Sequence, residues 1–189
     1  MIIRKIFSLA TSIISLFIFI LFINTNSISD ENNIKYYSGD EGILSLMYHR
    51  FNENKYPSTN IQMDVFKAQM EITKNSSYTF SNPKNFEENF TTPKKNKEIL
   101  ITIDDAFLSF YLEAWPYIKK NKIPFILFVS TEPVGKKGYM TWEQIKEVEA
   151  EEFAVIGHHS HSHGYLIDKD NDFFISDIEK ANEIFLKNL

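Results

Sequence analysis

Four of the five histidines fall within six consecutive residues, His158-His159-Ser160-His161-Ser162-His163, between Gly157 and Gly164. Short His-rich tracts of this kind bind metal. Two imidazoles at i and i+4 can point the same way and share one cation, as in other His-x-x-x-His sites, and His159 and His163 have that spacing. His158 and His163 are five apart and fit less well, and His161 would point elsewhere on a helical turn. A second concentration of chemistry is Ile101-Thr102-Ile103-Asp104-Asp105-Ala106. Two adjacent carboxylates directly after a buried strand lie at its C-terminal end, where parallel α/β folds put their sites. An Asp pair can also do no more than cap the helix that follows. Beside a His-x-x-x-His cluster that plainer role loses weight. Adjacent side chains leaving a strand diverge, so one can bind a metal while the other faces the reacting water. Two His and one Asp make a three-ligand site with open positions, suited to zinc holding a water. Zinc lowers the pKa of that water from about 16 to about 7, and a second, non-ligating carboxylate can take the proton as general base. The same ligands could hold Fe(II) for oxygen chemistry; the neighbouring free Asp favours hydrolysis.

The elements that must position these groups alternate along the chain. Ile43–Tyr48 is an apolar run of strand length, and Met63–Lys74 carries Val65, Phe66, Gln69, Met70 and Thr73 at helical spacing. Thr79-Phe80 reads as a brief strand, Asn82–Asn89 as a short helix with Pro83 near its first turn, and Thr91–Lys97 as a polar, Lys-rich connection. Glu98–Ile103 is a strand that stops at Asp104-Asp105. Phe107–Asn121 is helical in pattern, with Pro116 marking a kink or break. Phe125–Val129 is a buried strand, Thr141–Glu151 an acidic amphipathic helix, Phe153–Ile156 another strand and Asp172–Leu189 a last helix. Strands separated by helices argue for βα units around a parallel sheet. A closed barrel of such units takes ~200 residues or more, whereas residues 43–189 number 147. The expectation is therefore a partial fold that continues beyond Leu189.

Ahead of this domain, Arg4 and Lys5 precede Ile6–Ile23, a run without charge. Eighteen residues at ~1.5 Å each span about 27 Å, close to a hydrocarbon core of ~30 Å. That is long for a signal-peptide core, and Ser27-x-Ser29 is a poor cleavage site. The reading is an anchor, or alternatively a cleaved signal, over residues 1–23, then a polar linker over 24–42, then the domain over 43–189. The basic flank stays in the cytoplasm and the remainder is exported, so the expected place of work is the outer side of the cell membrane, or a secreted or periplasmic location after cleavage. Composition narrows the class further. A balance of 20 Lys+Arg against 25 Asp+Glu, net −5, does not suit nucleic-acid backbone binding. Absence of Cys removes disulfides, iron–sulfur clusters and thiol nucleophiles together.

Ile101-Thr102-Ile103-Asp104-Asp105-Ala106-Phe107 resembles the first motif of NodB-homology polysaccharide deacetylases, carbohydrate esterase family four, usually Thr-Phe-Asp-Asp-Gly. His159-Ser160-His161-Ser162-His163 with Leu166 resembles their second motif, His-Ser/Thr-x-x-His followed by Leu, and Pro124–Val129 resembles the strand between them. Leu46-Met47-Tyr48-His49-Arg50 and Phe66-x-x-Gln69-Met70 are similar to the start of the biofilm-polysaccharide deacetylase branch. The resemblance runs from about Ile43 to Leu189. It implies a distorted (β/α) barrel and a hydrolase that removes N-acetyl, sometimes O-acetyl, groups from a carbohydrate polymer with a divalent metal, Zn²⁺ foremost and Co²⁺ or Ni²⁺ as substitutes. Carried over by matching position, Asp104 is the base, and Asp105, His159 and His163 are the metal ligands.

The sequence departs from the family in two ways. Ala106 stands for the usual Gly, read here as a small-for-small change. No His or Trp follows His163 and no Arg follows Arg50, so the family's later motifs, including the Leu-x-His segment with the proposed general acid, have no counterpart there. Little or no turnover is expected of this chain alone. The alternative is a non-catalytic metal- or carbohydrate-binding remnant, or an inactive fragment. His49 is a tempting extra participant, read as a core or surface residue more readily than as a groove residue.

Overall fold

The strand Lys97–Asp104 (β5) is buried on both faces from Ile99 onward, as a β-branched run in the middle of a parallel sheet must be. The structure is a computed structural model that describes residues 42–85 and 97–189, all within one unit, Ser38–Leu189. Around β5 lie Ile43–Tyr48 (β1), Tyr78–Phe80 (β4), Phe125–Val129 (β6) and Ala154–His158 (β7). The path runs β1-β5-β6-β7, with β4 also on β5, and every pairing is parallel. Glu98 pairs with both Ile43 and Thr79, and Ile103 with both Tyr48 and Leu127. β4 and β6 therefore share the edge of β5 opposite β1, one after the other. Two residues each of Arg50–Phe51 (β2) and Asn60–Ile61 (β3) make a separate small pair.

The parallel registers bring the C-terminal ends of β1, β5, β6 and β7 to one edge of the sheet. Asp104 is level with Phe128, and Phe128 with Gly157. At Gly157 an added Cβ would lie 2.5–2.6 Å from the Phe128 ring and 3.0 Å from Ile126 Cγ2. Only glycine lets the ring lie across β7 at this row.

Met63–Lys74 (α1) buries Met63, Phe66, Met70 and Thr73, an i, i+3, i+7, i+10 stripe. Trp115–Asn121 (α2) follows a π-helical stretch, Phe110–Ala114. Pro116, without an N–H to donate, sits where the winding changes. Trp142–Glu149 (α3) starts from a reciprocal capping box between Thr141 and Gln144, and Asn171–Asn188 (α4) from Asp170, which accepts from the Phe173 N–H. The core joins the sheet to α1–α3: Phe51, Phe66, Met70, Ile101, Ile103, Phe110, Phe125, Leu127 and Ile145 are all fully buried. Phe51 and Phe66 meet edge-to-face at 5.1 Å, and Phe110 and Phe125 lie 5.6 Å apart.

The α/β class with a parallel sheet is as expected. The closed barrel is not seen: five of the described strands form an open sheet whose path runs from β1 to β7, and β2 and β3 stand apart from it. Residues 86–89 of the expected 82–89 helix lie outside the described residues; its start is a single 3₁₀ turn, Pro83–Asn85. The expected membrane segment, 1–23, and nearly all of the linker also lie outside them. No helix among the described residues is long and apolar enough to cross a membrane.

Candidate metal centre

Asp104 is the last residue of β5, and Asp105 and Ala106 then adopt left-handed backbone, φ 73° and 51°. This turn is fixed from outside: the Met140 N–H donates to Ala106 O at 2.9 Å and the Leu108 N–H to Gly138 O at 2.9 Å. Ala106 therefore differs from the family's glycine by more than a methyl group, because glycine adopts this conformation freely and alanine is strained in it. The turn aims Asp105 at the loop after β7. Asp105 Oδ1 lies 3.4 Å from His159 Nε2 and 3.0 Å from His163 Nε2. One donor atom from each of the three residues falls within 4.8 Å of the others. Both carboxylates are 7% exposed, while the His159 and His163 side chains are 33% and 54% exposed. The cluster is closed at the carboxylate and open on the histidine side.

The two histidines do not meet on a helical turn. They meet because Ser160 and His163 take left-handed backbone, φ 65° and 54°. The end of β6 and the residues after it hold the loop: the His159 N–H donates to Val129 O at 3.0 Å, the Thr131 N–H to Ser160 O at 3.2 Å, the Glu132 N–H to His161 O at 3.0 Å, and the Ser130 hydroxyl to His159 O. The His163 N–H donates to Ser160 Oγ at 3.1 Å. Strained non-glycine backbone at both Asp105 and His163 is the kind that persists where surrounding structure over-determines it, typically at functional sites. The other clustered histidines face elsewhere. His161 Nδ1 is 2.8 Å from Thr131 Oγ1. His158 takes the Ser160 N–H on Nδ1 and packs its ring 5.6 Å from Phe185.

Electrostatics separate the adjacent carboxylates. Burial raises the pKa of Asp104 and the charge of Asp105 adds to it, against the opposing fields of His159, His49 and His163, so Asp104 binds a proton more readily than a free side chain does. Burial also works against ionisation of Asp105, but the imidazole of His159 and the charges of His163 and His49 outweigh it and hold the group below the ordinary carboxylate range. His159 is raised in turn by Asp105, more than burial lowers it. Pairs of carboxylates pushed apart in this way mark acid/base assignments. Asp104 Oδ1 and Asp105 Oδ1 are both buried without an aligned hydrogen-bond donor. Asp105 Oδ1 thus faces the two imidazole nitrogens at contact distance and not through an aligned hydrogen bond. A buried oxygen without a donor, converging with two imidazole nitrogens, fits a divalent cation of tetrahedral preference, for which one Asp and two His are suitable donors.

Sequence reasoning weighed His49 and favoured a core or surface position for it. It directly follows β1, whose last residue, Tyr48, is level with Ile103, and its charge reaches both carboxylates. The adjacency of β1 to β5 that puts it there has no local signature. Ser130 and Thr131, which clamp the histidine loop, likewise carry no motif.

Comparison with known proteins bears on the family and the fold. YxkH of Bacillus subtilis strain 168, a protein assigned as a polysaccharide deacetylase, is 30% identical over 115 residues, 60% of this chain and 40% of YxkH. The chain thus spans well under half the length of that relative. IcaB from Ammonifex degensii superposes with a TM-score of 0.70 at 28% identity, over 80% of this chain and 70% of IcaB. The Streptococcus pyogenes deacetylase PplD, solved with acetate, gives 0.68 at 24% identity, over 79% and 70% of the two chains, and shares the fold. The sequence profile of the polysaccharide deacetylases matches residues 91–189, just over half of the chain and a stretch that contains both carboxylates and the whole histidine loop, and by that match the chain belongs to the polysaccharide deacetylase family.

Proposed function

We propose that the chain is the metal-dependent hydrolytic domain of an enzyme that removes N-acetyl, or O-acetyl, groups from a cell-envelope or extracellular polysaccharide. The observation that carries this reading is the divided carboxylate pair beside two imidazoles: one acid held ionised against the histidines, its neighbour biased toward proton uptake. Asp105, His159 and His163 would hold the cation, Zn²⁺ or in its place Co²⁺ or Ni²⁺. Such an ion supplies Lewis acidity at the acetyl carbonyl and a nucleophilic water near neutral pH. Asp104 accepts the proton of the water that attacks the carbonyl carbon. The C–N bond then breaks, and the amine must receive a proton as it leaves. His49 is the imidazole outside the ligand set whose charge reaches this pair, and we assign it that donation.

Three further points belong to the same reading. The family resemblance implies a polymer that is often N-acetylglucosamine-based, and Leu46-Met47-Tyr48-His49-Arg50 with Phe66-x-x-Gln69-Met70 resembles the biofilm-polysaccharide branch. The open sheet is taken as part of the distorted barrel that the resemblance implies. Residues 6–23, uncharged behind Arg4 and Lys5, support a domain held on, or released from, the outer side of the membrane. The test is acetate release from an N-acetylglucosamine oligomer by the full chain with Zn²⁺ or Co²⁺, with and without chelator. Turnover that survives chelation, or that persists in Asp105→Asn, would end the metal-dependent reading.

A further inference from the structure

We infer that Asp177, on α4, is the positioning residue of the histidine loop and sets the geometry in which His159 and His163 meet Asp105. The inference rests on the metal-site reading above and extends it to a residue 14 positions beyond the last ligand.

Asp177 is a carboxylate on a helix, yet it is only 5% exposed. Its Oδ2 accepts the His161 N–H at 2.8 Å and its Oδ1 the Ser162 N–H at 3.0 Å. Two successive N–H groups converging on one anion is the geometry of a backbone nest; here the anion is supplied by the protein itself. These are two of the three residues between the ligand histidines. On its other side the same stretch is held through its carbonyls, Ser160 O by the Thr131 N–H and His161 O by the Glu132 N–H. The loop is thus held between the end of β6 and α4.

His163 depends most on this arrangement. It has left-handed backbone and the more exposed of the two imidazoles, and its own N–H is bound only within the loop, to Ser160 Oγ. With the His161 and Ser162 N–H groups released, nothing on the α4 side would keep the following residue in its strained conformation. Burial resists ionisation of Asp177, but the Ser162 side chain and the two N–H groups outweigh it, and the carboxyl lies below its ordinary range. The hydrogen bonds of Asp177 go to the loop backbone and not to the ligand side chains. Its action on the site passes through the backbone of residues 161–163.

Removal of outer partners that orient metal ligands typically weakens metal binding about 10–100-fold. Co²⁺ titration of the full chain, read by its visible d–d bands and paired with thermal melts, tests the assignment. Asp177→Asn keeps the shape but turns an amide N–H₂ toward one of the two donors. It should weaken Co²⁺ about 10–100-fold and change the band pattern. Asp177→Glu, which retains the charge, should recover most of the affinity. Ala181→Gly, one turn further along the same helix and fully buried, should lower the melting temperature while leaving the Co²⁺ affinity and bands as in wild type. Asp177→Asn binding within twofold of wild type, or Ala181→Gly losing as much affinity, would overturn the positioning role while the metal site stands. Wild type and His163→Ala binding Co²⁺ equally would overturn the metal reading itself, and this inference with it.

Discussion

Asp104 and Asp105 are the same residue type side by side, and their surroundings give them opposite proton affinities. Asp104→Asn is expected to abolish turnover and keep the metal, whereas Asp105→Asn should lose the metal itself; metal analysis of the two purified variants decides it, and loss in Asp104→Asn alone would reverse the assignment. A pH dependence follows from the Asp105–His159 pair. His159 in the folded chain holds its proton above the free value of ~6.5, and Asp105 gives up its own below ~3.9. Stability from His159 is complete below about pH 6.5 and is lost as pH rises through the folded value; stability from Asp105 is complete above about pH 3.9 and is lost as pH falls. In chelator, the melting-temperature advantage of wild type over His159→Ala should therefore shrink as pH rises above about 6.5. With Zn²⁺ it should grow over the same interval, because ligands must be deprotonated to bind. Melts showing the same sign with chelator and with Zn²⁺ would remove His159 from the metal site. The four proposed site residues were legible because residue type and spacing within two short motifs carried them. Illegible was the backbone that makes the motifs work. Ala106 reads as small-for-small until its φ of 51° is known, and Asp177 looks like one more polar residue on an amphipathic helix until both its oxygens are found on loop N–H groups.

Strands β1 and β6 and helix α1 have the boundaries that composition alone suggests, because each is a dense apolar run or stripe bounded by polar or turn residues. The stretch 107–121 is less legible. Phe107 leaves the helix to bridge Tyr139, and a π-helical segment precedes α2; neither depends on hydrophobic period. The histidine spacing was read as one face of a helical turn, and the structure makes it a loop, because Ser160 and His163 turn left-handed between clamps from two other elements. The row Asp104–Phe128–Gly157 is the element-scale contact most open to test. A methyl on Gly157 overlaps the Phe128 ring, and that ring stands 6.2 Å from the His159 ring. Overpacking of this kind costs about 1–3 kcal/mol. Gly157→Ala should lower stability by that amount and weaken Zn²⁺ binding through His159. Combined with Phe128→Leu, which makes room, it should cost less than the two single changes added together, the sign of direct coupling. Additive losses in chemical denaturation would mean that Gly157 serves the backbone rather than the ring.

At the scale of the whole molecule, alternating strands and helices identify a parallel α/β sheet. Its order is set by packing between segments far apart in sequence: β1 beside β5, with β4 and β6 sharing the opposite edge. That order decides where His49 stands, at the end of β1 and within electrostatic reach of both carboxylates. Hydrolysis of an amide needs a positioned acid for the departing amine, worth typically ~10²–10⁴-fold. The resemblance implies such an acid in a later segment, whereas the proposal above gives the donation to His49. Two of the three imidazoles outside the ligand set are the candidates for that donation. His161 is 2.8 Å from Thr131 Oγ1, whereas the charge of His49 opposes burial at both carboxylates. In the full chain with Co²⁺ or Zn²⁺, His49→Ala should lower kcat for acetate release by about 10²–10⁴-fold at unchanged metal content, and His161→Ala should change kcat by less than about tenfold. A His49→Ala rate equal to wild type would return the donor to the segment that the resemblance implies, and a collapse in His161→Ala alone would place it on the far side of the histidine loop.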